Sequence, residues 1–223
     1  MDAEIKEYIR HLSDRKDIYW KAFKFYTGKI NNKKVVVVKS GVGKVFAAMI
    51  CQKLIDKFNI DKILFTGVAG SLNKKLNILD VVVAEDCVQH DMDAIALGFK
   101  RGQIPYTKYR IFKSSEELKK IALRTTLDGN KKIIKGRILT GDQFFSGIGR
   151  LKHGYLKREL GGMAIEMEGA SVAQVCTVNR IPFLIIRSIS DKADGKAADN
   201  FNSFLKSSAK NSFKVVSHIL NNI

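Results

Sequence analysis

The sequence predicts an α/β fold: three layers, α/β/α, around a mixed, mainly parallel central sheet. Three observations carry that expectation. At least five short runs, among them residues 34–39 and 183–189, are rich in β-branched and other apolar residues without strict alternation, as in strands buried on both faces. Between them lie stretches with apolar residues at helical spacing, and glycine marks several of the junctions, which is the form of repeated βα units. The chain has 223 residues, 45% of them hydrophobic, enough for one full core, so residues 1–223 are expected to form one domain.

In chain order, residues 1–12 put Ile5, Tyr8, Ile9 and Leu12 on one helical stripe, an odd opening for an α/β chain because no strand precedes it. Residues 21–28 alternate weakly and are expected to turn at Gly28. The run KVVVVK at 34–39 reads as a buried strand, and Gly41-Val42-Gly43-Lys44 hands it to a helix over 45–58, where Ala47, Ile50, Cys51, Leu54 and Phe58 keep helical spacing. A second cycle has a strand at 62–66 and a glycine turn at 67–70, and a third strand follows at 78–84. Residues 85–113 are polar, irregular and aromatic, a length of connection that is usually functional or self-structured. Ser114 or Ser115 caps a helix to about Thr126, Asp128-Gly129-Asn130 turns, and residues 133–140 form another strand. After Phe144 and Phe145 come a short basic amphipathic stretch, an apolar approach to Glu166, a helix to about Val178, a strand at 183–189, and a closing helix from Asn200.

No apolar run approaches the roughly 20 residues of a membrane span, and residues 1–10 have no continuous apolar signal core, so a cytoplasmic protein is expected. An exported form, with a leader lying outside this sequence, is the alternative. Cys51, Cys87 and Cys176 are far apart, odd in number and set in apolar patterns, which suits buried thiols rather than disulfides or a metal cluster. Lys and Arg number 39 against 22 Asp and Glu, a net charge of +17. That balance suits either a lysine-rich solvated surface or contact with polyanions such as nucleic acid, sulfated glycans or anionic lipid, and the basic residues lie dispersed rather than in one motif.

Ligands of α/β sheets bind at the carboxyl ends of strands, and there this chain carries Gly41–Gly43, Gly67–Gly70, Gly141-Asp142, Glu166–Glu168 and Arg187–Asp191. The stretch Ala164-Ile165-Glu166-Met167-Glu168-Gly169-Ala170 has two readings: a strand end whose acid complements a helix dipole, or a carboxylate pair that holds hydroxyls or moves protons. The glycine turns suit phosphate or tight packing equally, since neither completes a P-loop or dinucleotide fingerprint. Arg187 and Asp191, at the end of an apolar strand, each need a partner or pair with one another.

Together these stretches resemble the nucleoside phosphorylase and nucleosidase superfamily, and within it the 5′-methylthioadenosine/S-adenosylhomocysteine nucleosidases. The motifs are SGVGK (40–44), TGVAG (66–70), HDMD (90–93), GQIP (102–105), TGDQF (140–144), AIEMEGA (164–170) and RSISDKAD (187–194), in the family's order over nearly the whole chain. The resemblance implies hydrolysis of the N-glycosidic bond of adenine nucleosides without a metal or organic cofactor. It implies Asp191 as the acid that protonates the leaving adenine, which requires a carboxyl kept protonated by burial. Glu168 would grip the ribose hydroxyls, with Met167 beneath the sugar, Arg187 positioning the catalytic groups and Glu166 in support. Phe144 or Phe145 would stack on adenine, Phe201 would close over it, and Ala69, Gly70 and Ser190 would line its site. Val42, Ala94, Leu97 and Pro105 would line the 5′-alkylthio pocket, some reaching in from the second subunit of a homodimer.

The base that activates water falls on Glu4 by ungapped alignment back from Gly41, with Glu7 a weaker candidate. The family's first strand, ahead of this acidic run, has no counterpart here because Met1 stands where the run begins. A sequence that starts inside the protein is the favoured reading, since loss of a central strand would expose its neighbours' backbone groups. A phosphate-dependent phosphorylase is the nearest alternative activity, and a nucleosidase that also binds polyanions is another.

Overall fold

The computed structural model describes residues 2–145, 154–192 and 197–223, with side chains described for all of these but residue 3 and residues 197–203. The chain runs α1 (Asp2–Arg10), β1 (Ser13–Trp20), β2 (Phe23–Ile30), β3 (Lys33–Val38), α2 (Lys44–Phe58), β4 (Ile63–Ser71) and β5 (Val81–Gln89). A 3₁₀ turn (Ile95–Leu97), β6 (Phe112–Lys113), α3 (Glu116–Ala122), β7 (Ile133–Thr140), α4 (Tyr155–Arg158), β8 (Ala164–Glu166), α5 (Gly169–Asn179), β9 (Phe183–Asp191) and α6 (Ala197–Asn221) follow.

The strands form a three-stranded antiparallel sheet, β1-β2-β3, and a six-stranded mixed sheet in the order β6-β5-β7-β8-β4-β9. Its long ladders are parallel: β4 beside β9 from Ile63↔Phe183, and β5 beside β7 from Val81↔Ile133. The larger sheet is not an open layer, as the sequence suggested. Antiparallel pairing of Val81, Val82 and Val83 with Ser188, Arg187 and Ile186 joins β5 to β9 and closes the sheet into a barrel-like ring. Closure is possible because every residue of β9 is buried and both its edges find partners, which removes two strand edges from water. The β4 and β9 side chains alternate between two apolar clusters. Ile63, Ile185 and Ile189 face α2 and α5, whereas Leu64, Leu184 and Ile186 face α1, α3 and α6.

Three local expectations give way to longer-range effects. β2 continues through Gly28 because that glycine packs against Ser13: a Cβ there would lie 2.4 Å from the Ser13 carbonyl oxygen. The turn falls instead at Asn31 and Asn32, both at positive φ. β4 likewise runs on through Gly67–Gly70 rather than turning after Thr66. The β-branched run in β3 is only half-buried, because β3 pairs with β2 alone. The three cysteines are free and buried, with the sulfurs of Cys51 and Cys176 3.7 Å apart between α2 and α5.

Candidate active site

The site lies where β4, β8 and β9 end and α2 and α5 begin. β8 stops at Glu166 and α5 starts at Gly169, so the two carboxylates of 164–170 fall on different elements and do different things. Glu166 turns back under the helix, where its carboxylate accepts the backbone N–H groups of Glu168 (3.0 Å) and Gly169 (2.7 and 2.9 Å). It also accepts the Thr140 hydroxyl and the Arg187 guanidinium. Thr140 is the register partner of Glu166 across β7 and β8, and its oxygen accepts the Ala170 N–H at 2.7 Å. Glu166 therefore meets the positive end of α5 and a buried cation together. Glu168, at the N-cap position, makes no capping bond of its own and is left to face the cavity. The strand-end reading of the acidic stretch fits Glu166, while Glu168 faces the cavity.

Glu168 Oε1 accepts the Gly43 N–H at 2.8 Å, which ties the start of α2 to the start of α5. Burial, and after it the Glu166 charge, push the Glu168 carboxyl above the usual carboxylate range, while Arg187 and the Gly43 N–H pull the other way. Arg187 Nη2 sits 3.7 Å from Glu168 Oε2. Its guanidinium centre lies 4.5 Å from the centre of the Phe65 ring, a cation–π contact in a fully buried setting. Gly67 of β4 makes room for it, because a Cβ at that position would stand 1.7 Å from Arg187 Nη1.

Asp191 ends β9 and is buried. The register of β9 slips against β4, from Ile189↔Ala69 to Asp191↔Gly70, so Ser190 is an extra residue that bulges the strand where it meets the site. Ser190 donates to Asp191 Oδ2 at 2.9 Å and approaches the Ala69 carbonyl at 3.5 Å. At the start of α2, Lys44 Nζ donates to both oxygens of Asp91 (2.8 Å each), and its backbone N–H donates to Asp142 Oδ1 (2.9 Å). These contacts fasten the 41–44 turn to two neighbouring loops.

A cavity of about 1230 Å³ is lined by Asp191, Glu4, Glu168, Met167, Arg187, Phe144, Phe145, Ala69, Gly70, Ser190, Val42 and Glu166. The structure thus brings together most of the expected site residues. Ala94, Leu97 and Pro105 stand apart on the 90–105 segment and are not among the lining residues of this cavity, and the Phe201 side chain falls outside the described residues. Thr140 and Phe65 were given no role from the sequence, and Gly43 and Gly67 only one as phosphate-binding or packing turns. Thr140 and Gly67 sit inside quoted motifs, but their work depends on partners far away in the chain, and Phe65 carries no signal at all. Among the described residues there is no cluster of three or more His, Cys, Asp or Glu arranged for a metal ion.

The fold and the site define the class, and the model of the phosphorylase superfamily matches residues 1–221. A 5′-methylthioadenosine/S-adenosylhomocysteine nucleosidase of Staphylococcus haemolyticus is 38% identical over 221 residues, 99% of this chain and 96% of that protein. The crystal structure of the Neisseria meningitidis nucleosidase of the same name, in complex with methylthio-immucillin-A, superposes with a TM-score of 0.93 at 35% identity, covering 100% and 96% of the two chains. The native futalosine hydrolase of Helicobacter pylori gives 0.92 at 35% identity, covering 100% and 95%. This chain belongs to the phosphorylase superfamily and, within it, to the 5′-methylthioadenosine/S-adenosylhomocysteine nucleosidases.

Proposed function

We propose that the chain hydrolyses the N-glycosidic bond of 5′-methylthioadenosine and S-adenosylhomocysteine, and of 5′-deoxyadenosine, releasing adenine and the 5′-substituted ribose. The observation that carries this reading is the convergence of Asp191, Glu168 and Glu4 on one cavity beside Met167 and the two phenylalanines. Asp191 gives its proton to the imidazole ring of adenine as the bond from C1′ breaks and its electron pair leaves with the base. Glu168 holds the ribose hydroxyls, an interaction that strengthens as positive charge develops on the sugar. Glu4 takes a proton from the water that attacks C1′. Arg187 is held by Glu166 and lies near Glu168, so its positive charge is already committed to carboxylates and is poorly placed to bind a phosphate nucleophile. That favours water over phosphate.

The dimer belongs to the same reading. Val42 at the site, Phe46 on α2 and Leu97 on the 90–105 segment are large apolar side chains left exposed, which suits burial against a second copy that supplies Ala94, Leu97 and Pro105 to the 5′ end. A cytoplasmic place in nucleoside catabolism and methionine salvage fits a substrate derived from sulfur-containing adenosines, and among the described residues no helix is long and apolar enough to cross a membrane. The exposed Lys16, Lys21, Lys33 and Lys34 of the three-stranded sheet are where a sulfated glycan or other polyanion would make salt-sensitive contact.

Product analysis tests the activity. Adenine should appear with free 5-methylthioribose at the same rate with or without added phosphate. Formation of the 1-phosphate sugar, or a strict need for phosphate, would replace hydrolysis by phosphorolysis.

A further inference from the structure

Glu168 is oriented from another element. Its Oε1 accepts the Gly43 N–H at 2.8 Å, its Oε2 lies 3.7 Å from Arg187 Nη2, and it makes no capping bond to its own helix, α5. Whatever fixes Gly43 therefore fixes one oxygen of the carboxylate. The 41–44 turn is not rigid by composition: Gly41 and Gly43 both stand at positive φ, 88° and 89°, and glycine gives up more backbone freedom on ordering than any other residue. Gly43 also offers no side chain to cap α2, which has no acid in its first turn.

The turn is held by a closed ring of three residues from three segments. The Lys44 backbone N–H donates to Asp142 Oδ1 (2.9 Å), the Asp142 N–H donates to Asp91 Oδ2 (3.0 Å), and Lys44 Nζ donates to both oxygens of Asp91 (2.8 Å each). Asp142, just past the end of β7, thus supplies the carboxylate cap that α2 lacks. Gly43 admits it, since a Cβ there would crowd Asp142 Oδ1 at 3.2 Å. Burial alone would raise the Asp91 carboxyl, but the Lys44 ammonium and the Asp142 N–H outweigh it and hold it below the usual carboxylate range. Nor is the ring loose surface charge: the Lys44 and Asp91 side chains are 18% and 30% exposed.

We propose that Asp142 and Asp91 are positioning residues for Glu168: the ring they close around Lys44 holds Gly43 where its N–H fixes Glu168 Oε1, which leaves Oε2 for the ribose hydroxyls. The role of Glu168 rests on the hydrolytic reading above, whereas the ring does not. Neither aspartate is among the residues lining the cavity, so each acts through the turn rather than on the substrate. Because the grip of Glu168 strengthens as charge develops on the ribose, loosening it is felt in kcat more than in KM.

The test is adenine release from 5′-methylthioadenosine by Asp142→Ala, Asp142→Asn, Asp91→Asn and Glu168→Ala, and by Glu168→Ala combined with Asp142→Ala. Asp142→Ala should lower kcat by about tenfold or more, as misplacement of a reacting group does, with KM changed by less than about threefold. Asp142→Asn keeps an acceptor for the Lys44 N–H and should recover kcat to within about threefold of the parent. Asp91→Asn removes the charge opposite Lys44 but keeps an oxygen for the Asp142 N–H, and should fall between the two. Once residue 168 has no carboxylate to place, adding Asp142→Ala should cost less than about twofold. In the intact chain without substrate, Asp142→Ala should also speed exchange of the Gly43 amide by about tenfold. Parent-like kcat in Asp142→Ala, the full further loss in the Glu168→Ala background, or unchanged Gly43 exchange would each overturn the proposal. An inactive parent would overturn the hydrolytic reading instead, and the Gly43 amide would still decide the ring.

Discussion

Arg187 and Glu166 form an ion pair beneath the cavity, and each side chain is only 2% exposed. Burial alone would lower the affinity of Arg187 for its proton, but the charges of Glu166 and Glu168 outweigh it and the net direction is upward. The pair is completed by hydrogen bonds from Thr140 and the first N–H groups of α5, the condition under which buried ions are tolerated. Removing one partner strands the other. Glu166→Ala is expected to lower the unfolding free energy by about 3–5 kcal/mol in urea titration. A loss below about 1 kcal/mol would mean that water or Glu168 replaces the lost carboxylate.

Thr140→Val keeps the shape and removes the hydroxyl that accepts from Ala170 and donates to Glu166. It leaves a buried N–H and a carboxylate short of a partner, and should cost about 1–3 kcal/mol. The same urea titration reads it, and a neutral result would show that the α5 terminus holds itself without β7.

Gly67→Ala places a methyl group where Arg187 Nη1 lies, so the buried guanidinium, held by Glu166, must shift. Overpacking of this kind costs about 1–3 kcal/mol. Because Arg187 must shift away from Glu168, kcat is expected to fall more than KM rises. Wild-type kcat in a folded Gly67→Ala variant would remove Arg187 from any positioning role.

The raised carboxyl of Glu168 makes stability depend on pH. A carboxyl whose affinity for protons is higher folded than unfolded stabilises most when protonated, below its unfolded value of about 4.3, and that stabilisation is lost as pH rises through the higher folded value. Glu168→Gln abolishes the titration while its side-chain oxygen can still accept the Gly43 N–H. Relative to the parent, the melting temperature of Glu168→Gln should therefore rise between about pH 4 and about pH 7, while its kcat/KM falls. A gap that moves the other way would show that Glu168 is stabilised, not strained, in its charged form.

Much of this is written locally. Residues 133–140 are β7 to the residue, a stretch rich in β-branched residues with Asn130 before it and Gly141 after it. Ser115 caps α3 as its type suggests, its hydroxyl accepting the Leu118 N–H. What escaped the sequence depends on distant partners. β1, SDRKDIYW, is charged and exposed, and is a strand only because β2 supplies a ladder. The glycines of 67–70 look like a turn, but in the fold Gly67 is the gap into which Arg187 packs, 120 positions away in the chain by the difference of the two numbers. Closure of β5 on β9 has no local signature, since apolar runs do not say which edges meet. In the site, the residues of AIEMEGA announced two carboxylates and only the family resemblance divided their work; in the fold the two separate because β8 ends at Glu166 rather than running on to Glu168.

The most direct measurement is adenine release from 5′-methylthioadenosine by Asp191→Asn beside the parent enzyme. Asparagine keeps the shape at the end of β9 and can accept from Ser190, but has no acidic proton to give. Loss of kcat by about 10²-fold to 10⁴-fold, with the melting temperature little changed, is the result expected of a general acid. A kcat within about tenfold of the parent, too small for loss of a general acid, would contradict the assignment of Asp191 and with it the mechanism.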